Sequence, residues 1–424
     1  MEREVIKRDN CNISYIKTEK FKSCQIEIYF KQKFIQEDVT TNSLLADFLT
    51  YSTFNYPTNR ELLKENEYLY GSYVTGLIFK NGDNLFHRYY VDFLDPKYCD
   101  EGHLENVVKL LGDIIFNPNF NNGDKTRKAF DICKNNYRNY LLSEKERPVF
   151  YATKQARALF GKGTSTGVSI YGNLEDLEKI TIKDLEKSYK KLINNTECYI
   201  YILGNMEKEE VMSYIDRYLN KLNNCPNSND LFINNKIRKE PLYREEIGPF
   251  KQDALIIYYN LNLKSKKEKF ITSKIFNYIF GSGGLTSKLY DKVREKNSLC
   301  YSIHSLLSPF DNSIHIEAGI NKKDKELCLK LIDDCLEEMI KGNFSEEDIE
   351  AAITSYKIFW KDIDNKIDSI IWYYYNIDLC EGLEAKECLK LMENVTKEDI
   401  IKIAKKVKKN VVYLLCGDEK NEEN

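Results

Sequence analysis

Few residues in this chain stand at spacings that do chemistry. The stretch "NSLLAD" (42–47) sits in a short apolar helical run and carries Ser43, Ala46 and Asp47. Two histidines four apart would face one way and grip a zinc ion there, and a glutamate beside the second would activate water. Serine, alanine and a lone aspartate cannot do this. The four histidines, His87, His103, His304 and His315, include no pair four apart. His304 and His315 could meet on adjacent strands of a hairpin, where satisfied or surface histidines are the ordinary reading. Arg294 and Tyr301 stand seven apart in "GSGGLTSKLYDKVREKNSLCYSI" (281–303). A guanidinium fork and a phenol at that spacing can orient carbonyl oxygens, although an ion-paired arginine and a packed tyrosine are the plainer reading. Gly281, Gly283 and Gly284 do not make a phosphate loop, because Ser287 stands before Lys288 where glycine is needed. "GKGTSTG" (161–167) fails likewise, with Ala156 where glycine is required. The glycines fit a turn, or a place where a peptide backbone approaches closely.

The twelve cysteines form no CxxC pair and most have apolar neighbours, which predicts buried thiols rather than a zinc or redox site. A net charge of −3 gives no basic field for nucleic acid. No run of about 18 apolar residues predicts a membrane span. "MEREVIKRDN" lacks the apolar stretch of a secretory signal, so the cytoplasm is the expected compartment. "KSKKEK" (264–269) reads as a solvated loop, and "IIWYYYN" (370–376) as core.

The elements that must position these residues are written twice. "ITIKDLEKSYKKLI" resembles "VTKEDIIKIAKKV", each with a threonine three before an aspartate: Thr181 with Asp184, Thr396 with Asp399. That pattern caps a helix start. Each helix leads into a β-rich run ending at a glycine, Gly204 or Gly417. Phe120 and Phe344 precede corresponding helices. The sequence therefore predicts an α+β protein of two homologous domains, each a mostly antiparallel sheet with helices packed on one face. "SCQIEIYF" (23–30) alternates Cys24, Ile26, Ile28 and Phe30 as a half-buried strand would. The expected boundaries are 1–222 and 247–424, joined by an Asn-rich linker at 223–246.

The glycine-rich turn, the helix ending in "REK", the strand opening at Tyr301, and the repeat together resemble the insulinase/pitrilysin zinc metallopeptidases. The likeness is to the short processing-peptidase branch, with its LuxS/processing-peptidase-like metallopeptidase fold, and extends over nearly the whole chain. In that family "NSLLAD" aligns with the zinc helix, so Ser43, Ala46 and Asp47 replace its two histidines and glutamate. The third ligand is a glutamate on a later helix, and 125–143 contains none. The resemblance thus implies an inactive peptidase homologue with no metal of its own and no catalytic residue. It implies that Arg294 and Tyr301 contact the carbonyls of a bound peptide, with Gly281, Gly283 and Gly284 beside them. It implies a heterodimer whose HxxEH-bearing partner supplies the zinc, with a peptide or unfolded segment as substrate. Among bacterial relatives it resembles most the zinc-lacking companion associated with elongation factor P 5-aminopentanol modification. The alternative is a scaffold subunit with no substrate, for which a homodimer stays open.

Overall fold

The computed structural model describes residues 2–9, 11–226, 231–380 and 382–418. They form two compact units: 1–141 with 170–230, and 142–169 with 231–424. In the first unit β1 (Glu2–Lys7), β2 (Asn12–Lys17), β3 (Ser23–Lys33), β4 (Tyr73–Asn81), β5 (Asn84–Leu94) and β6 (Glu197–Gly204) make a sheet of order β1-β2-β6-β3-β5-β4. In the second, β7 (Leu242–Gly248), β8 (Ala254–Asn260), β9 (Cys300–Ser308), β10 (Ser313–Ile320) and β11 (Lys408–Gly417) follow the order β7-β11-β8-β10-β9. From β2 onward the two orders are one topology. In each, the last strand enters between the first two, parallel to one and antiparallel to the other.

The repeat landmarks have physical jobs. Thr181 accepts the Asp184 amide, and the Asp184 carboxylate accepts the Thr181 amide at 2.9 Å. Thr396 likewise accepts the Asp399 amide at 3.2 Å. Phe120 stacks on Phe48 at 5.2 Å, while Phe344 is buried in the second core, its carbonyl accepting from Lys397 at 2.6 Å. Gly204 ends β6 at φ +146, where a Cβ would lie 2.3 Å from Cys24 Sγ. Gly417 ends β11 where a Cβ would lie 2.6 Å from the Phe250 carbonyl oxygen.

Several expectations differ from what is found. The linker range 223–246 contains most of β7. The segment 142–169 groups with the second unit, because its helix α4 (Pro148–Phe160) buries Ala152, Ala156 and Phe160 against Ile256, Tyr258, Val411 and Tyr413 of the second sheet. That sheet is therefore covered on both faces, which explains why "ALIIYYN" of β8 is buried at every residue. β3 is not half-buried either: Gln25, Glu27 and Tyr29, between its apolar residues, are also buried. Arg88 makes this tolerable by donating its Nε to Glu27 at 2.6 Å, forming an ion pair. Finally, Lys269 is not part of a solvated loop. It lies in a π-helical turn, Glu268–Thr272, with Nζ 3.4 Å from the centre of the Phe232 ring. The tyrosine-rich run divides: Ile370, Ile371 and Tyr375 are buried, and Trp372 is exposed.

The contact at Gly204 gives a stability test. Gly204→Ala is expected to cost about 3 kcal/mol, from a strained φ plus overpacking against Cys24. Gly123→Ala, at φ +58 with nothing within 4 Å of the added methyl, is expected to cost about 1 kcal/mol. Urea unfolding of both variants checks the order.

Candidate functional site

Helix α1 (Val39–Tyr51) carries Ser43, Ala46 and Asp47. Ser43 is buried and donates to the Ile170 carbonyl at 2.6 Å. Helix α3 (Asp124–Leu142), where a third metal ligand is sought, instead brings Tyr137, which donates to the Tyr171 carbonyl at 2.9 Å. Two side chains at this place are thus bonded to the backbone at 170–171. Asp47 has no hydrogen bond or ion pair from its carboxylate among the described residues. Water reaches it, yet the surrounding protein raises its carboxyl to about 6. The exposure limits what that shift is worth. Nearby, Cys133 is buried and its thiol is pushed up by desolvation, with the Asp47 charge adding to the rise. No group of three His, Cys, Asp or Glu placed to hold a metal occurs among the described residues.

In the second unit Arg294 ends a π-helical segment, Tyr290–Glu295, and Tyr301 lies near the start of β9. The guanidinium sits 4.7 Å from the Tyr290 ring centre and 5.6 Å from that of Tyr301. Both rings present their electron-rich faces to the cation. Arg294 has no acidic partner among the described residues. Tyr301 is 81 % exposed, on a strand that lies at the edge of its sheet. The structure therefore brings Arg294 and Tyr301 together and adds Tyr290, which spacing analysis missed. Its signal was the i,i+4 relation of Tyr290 to Arg294.

The glycines divide. Gly281 is buried, and a Cβ there would lie 2.5 Å from Ser305 Oγ and 2.6 Å from Leu289 Cδ1, so its smallness serves packing. Gly283 meets the Tyr278 carbonyl in the same way, at 2.7 Å. Gly284 adopts φ +61 in an exposed turn that Ser287 closes by donating to its carbonyl at 2.8 Å.

His304 and His315 meet through Glu317. Their Nε2 atoms lie 3.5 and 3.2 Å from its two carboxylate oxygens, and Thr153 donates to it at 2.8 Å. Burial alone would raise the Glu317 carboxyl. The bonds from His304, His315 and Thr153 outweigh it and hold the group well below the usual range. The pair of histidines is thus spent on an internal carboxylate, which anchors α4 to β10. His87 is wholly buried, and desolvation holds its imidazole neutral, down to about 3. His103 lies in the first core against Phe93 and Tyr70.

Similarity to known proteins agrees with this geometry. The description Peptidase M16 inactive domain matches residues 179–356. A probable inactive metalloprotease of Bacillus subtilis, YmfF, is 26 % identical over 414 residues, 95 % of either chain. A non-peptidase homolog of Helicobacter pylori, YmxG, is 22 % identical over 64 % of this chain and 62 % of its own. A conserved protein of Enterococcus faecalis superposes over 99 % of both chains with TM-score 0.89 at 24 % identity. The M16 inactive-domain structure from Pseudomonas fluorescens covers 99 % of this chain and 98 % of its own, with TM-score 0.78 and 14 % identity.

Two charge substitutions test the site. Asp47 is raised, so its folded form binds a proton more tightly and the anion costs stability at neutral pH. Asp47→Asn is expected to gain less than about 1 kcal/mol at pH 7, after discounting for solvent screening, with the gain fading as pH falls from about 6 to about 4. Glu317 is lowered, so its contribution is present above the usual carboxylate range and lost as pH falls below it. Glu317→Gln is expected to lose about 1–3 kcal/mol at pH 7 and progressively less in acid. Denaturant titrations across pH 3 to 7 check both signs.

The chain thus has an M16-type fold and is similar to proteins described as inactive or non-peptidase M16 homologues, and its α1 carries Ser43, Ala46 and Asp47 where the resemblance places a zinc motif.

Proposed function

We propose that this chain supplies the peptide-holding half of a two-chain peptidase whose zinc-bearing half is a separate HxxEH subunit. One observation carries the reading: Arg294 lies against Tyr290 and Tyr301 and has no acidic partner among the described residues. A guanidinium offers five N–H donors. Left without an internal acceptor, it is suited to the carbonyl oxygens of an extended peptide, and the Tyr301 hydroxyl can add a donor beside it. The edge position of β9 supports the same substrate form, since a strand can be added where backbone groups are unpaired. The chain's own contribution is binding and orientation. Water activation and zinc belong to the partner. Gly283 and Gly284 take part only as the turn beside the clamp, and Gly281 serves packing. As part of the same proposal, and on the sequence resemblance alone, we assign this activity to elongation factor P modification.

Two experiments test the reading. Tagged chain is recovered from its host, and co-purifying proteins are identified by mass spectrometry. A stoichiometric HxxEH protein is expected, and recovery of the chain alone would favour a scaffold. In the reconstituted pair, Arg294→Ala and Tyr301→Ala are each expected to lower kcat/KM for peptide cleavage at least about tenfold, equivalent to 1.4 kcal/mol, with unchanged pair assembly. Full activity of both variants would sink the clamp.

A further inference from the structure

The two sheets share one strand order except at a single edge. In the first unit β1 lies antiparallel on β2, from Glu2↔Lys17 to Lys7↔Asn12, and Ile6 packs against the core. The four central residues of β2 are buried. Its counterpart β7 pairs only with β11 among the described residues. Tyr243 is 61 % exposed there and Ile247 59 %. The outer row of β7 backbone donors and acceptors has no strand partner among the described residues, which is the template another strand uses. Along this edge runs a groove of about 630 Å³ between β7 and helix α6 (Lys325–Lys341), lined by Leu329, Val412 and Leu414 among charged residues.

We propose that β7 pairs antiparallel with β7 of a second copy of this chain, about a two-fold axis at Glu245, joining two five-stranded sheets into one. Symmetry restricts the register. Opposed residues of antiparallel strands point to the same face, so the axis must pass through a residue rather than between two. Centred on Glu245, Tyr243 faces Ile247 of the copy, twice, and the two exposed apolar side chains cover each other. Arg244 then faces Glu246. Arg244 has no acidic partner of its own among the described residues. Glu246 is held in place by Tyr151, which donates at 2.9 Å, and by Tyr413. The one like-charge contact is Glu245 with itself, and each Glu245 already has Lys322 at 3.2 Å and Lys325 at 3.4 Å. Centring on Arg244 or Glu246 would instead oppose two arginines or two carboxylates with no lysine beside them. Cross-strand apolar and opposite-charge pairs of this kind stabilise antiparallel pairing. The inference uses neither Arg294 nor Tyr301 and stands apart from the peptide-clamp proposal.

Sedimentation equilibrium of the full chain at about 100 μM, where an association of about 1 μM is nearly complete, is expected to give a dimer. Tyr243→Asp and Ile247→Asp are each expected to raise the dimer dissociation constant at least about tenfold with unchanged circular dichroism. Val5→Asp on the outer edge of the other sheet is expected to leave it unchanged. Amide exchange of the unmodified chain decides the matter even if a variant misfolds: amides within 242–248 slow at high protein concentration relative to low. A monomer at 100 μM, a dimer that survives both β7 substitutions, or protection of 242–248 that appears only with an added HxxEH companion would each overturn the proposal.

Discussion

The constraint on which each unit depends is the return of its last strand into the middle of its sheet. β6 and β11 must enter between strands laid down at the start of their units, and each is buried on both neighbouring sides. A strand in that position has no face to give to water, so its sequence is apolar in a run rather than alternating. It also needs a preceding helix that stops at a fixed residue, which is why a threonine–aspartate cap opens both helices that lead into it. Where it emerges, the neighbouring chain passes so close that only glycine fits, against Cys24 in one unit and Phe250 in the other. The sequence repeat is the record of this one packing problem solved twice.

That frame does not depend on a metal. A zinc site would ask α1 and α3 for ligands with free lone pairs aimed at one point. Here Ser43 and Tyr137 are turned to backbone carbonyls, and hydrogen bonds join the same elements. Loss of the ligands therefore leaves no group of unsatisfied donors behind. Asp47 alone keeps the exposed carboxylate of a site that has nothing else to offer it. Ser43 on α1 and Tyr137 on α3 act as structural residues, tied to the two carbonyls at 170–171.

Legibility from sequence followed the range of the interactions. Capping boxes, strand alternation and the apolar helix faces depend on residues within one turn or two of each other, and those elements stand where they were expected. The burial of Gln25 and Glu27 was invisible because the arginine that satisfies Glu27 is sixty-one residues away. The allegiance of 142–169 was hidden for a like reason: Ala152, Ala156 and Phe160 look like an ordinary amphipathic stripe until the sheet they cover is known. Polar composition made 223–246 read as linker, yet β7 within it is polar because it is an edge strand with much of its surface in water. At the candidate site, Arg294 and Tyr301 were legible as a pair, and their positions agree with that. Tyr290 was overlooked although it stands four residues before Arg294, because that spacing is common on helices and does not by itself mark a contact.

An arginine that is half-buried and has no carboxylate beside it is an expense a fold would ordinarily remove. Surface arginines reach an acid or extend into water, and buried ones are paired. Arg294 is partly exposed, has no acid beside it among the described residues, and lies against two aromatic rings. Such contacts are worth about 0.5–2 kcal/mol each and, unlike a carboxylate, do not accept the guanidinium's N–H hydrogen bonds in the plane. A carboxylate partner would have satisfied those same edges and closed them to anything else. The aromatic contacts therefore position the guanidinium without occupying it as a carboxylate would, which is the property on which the proposed role of Arg294 rests.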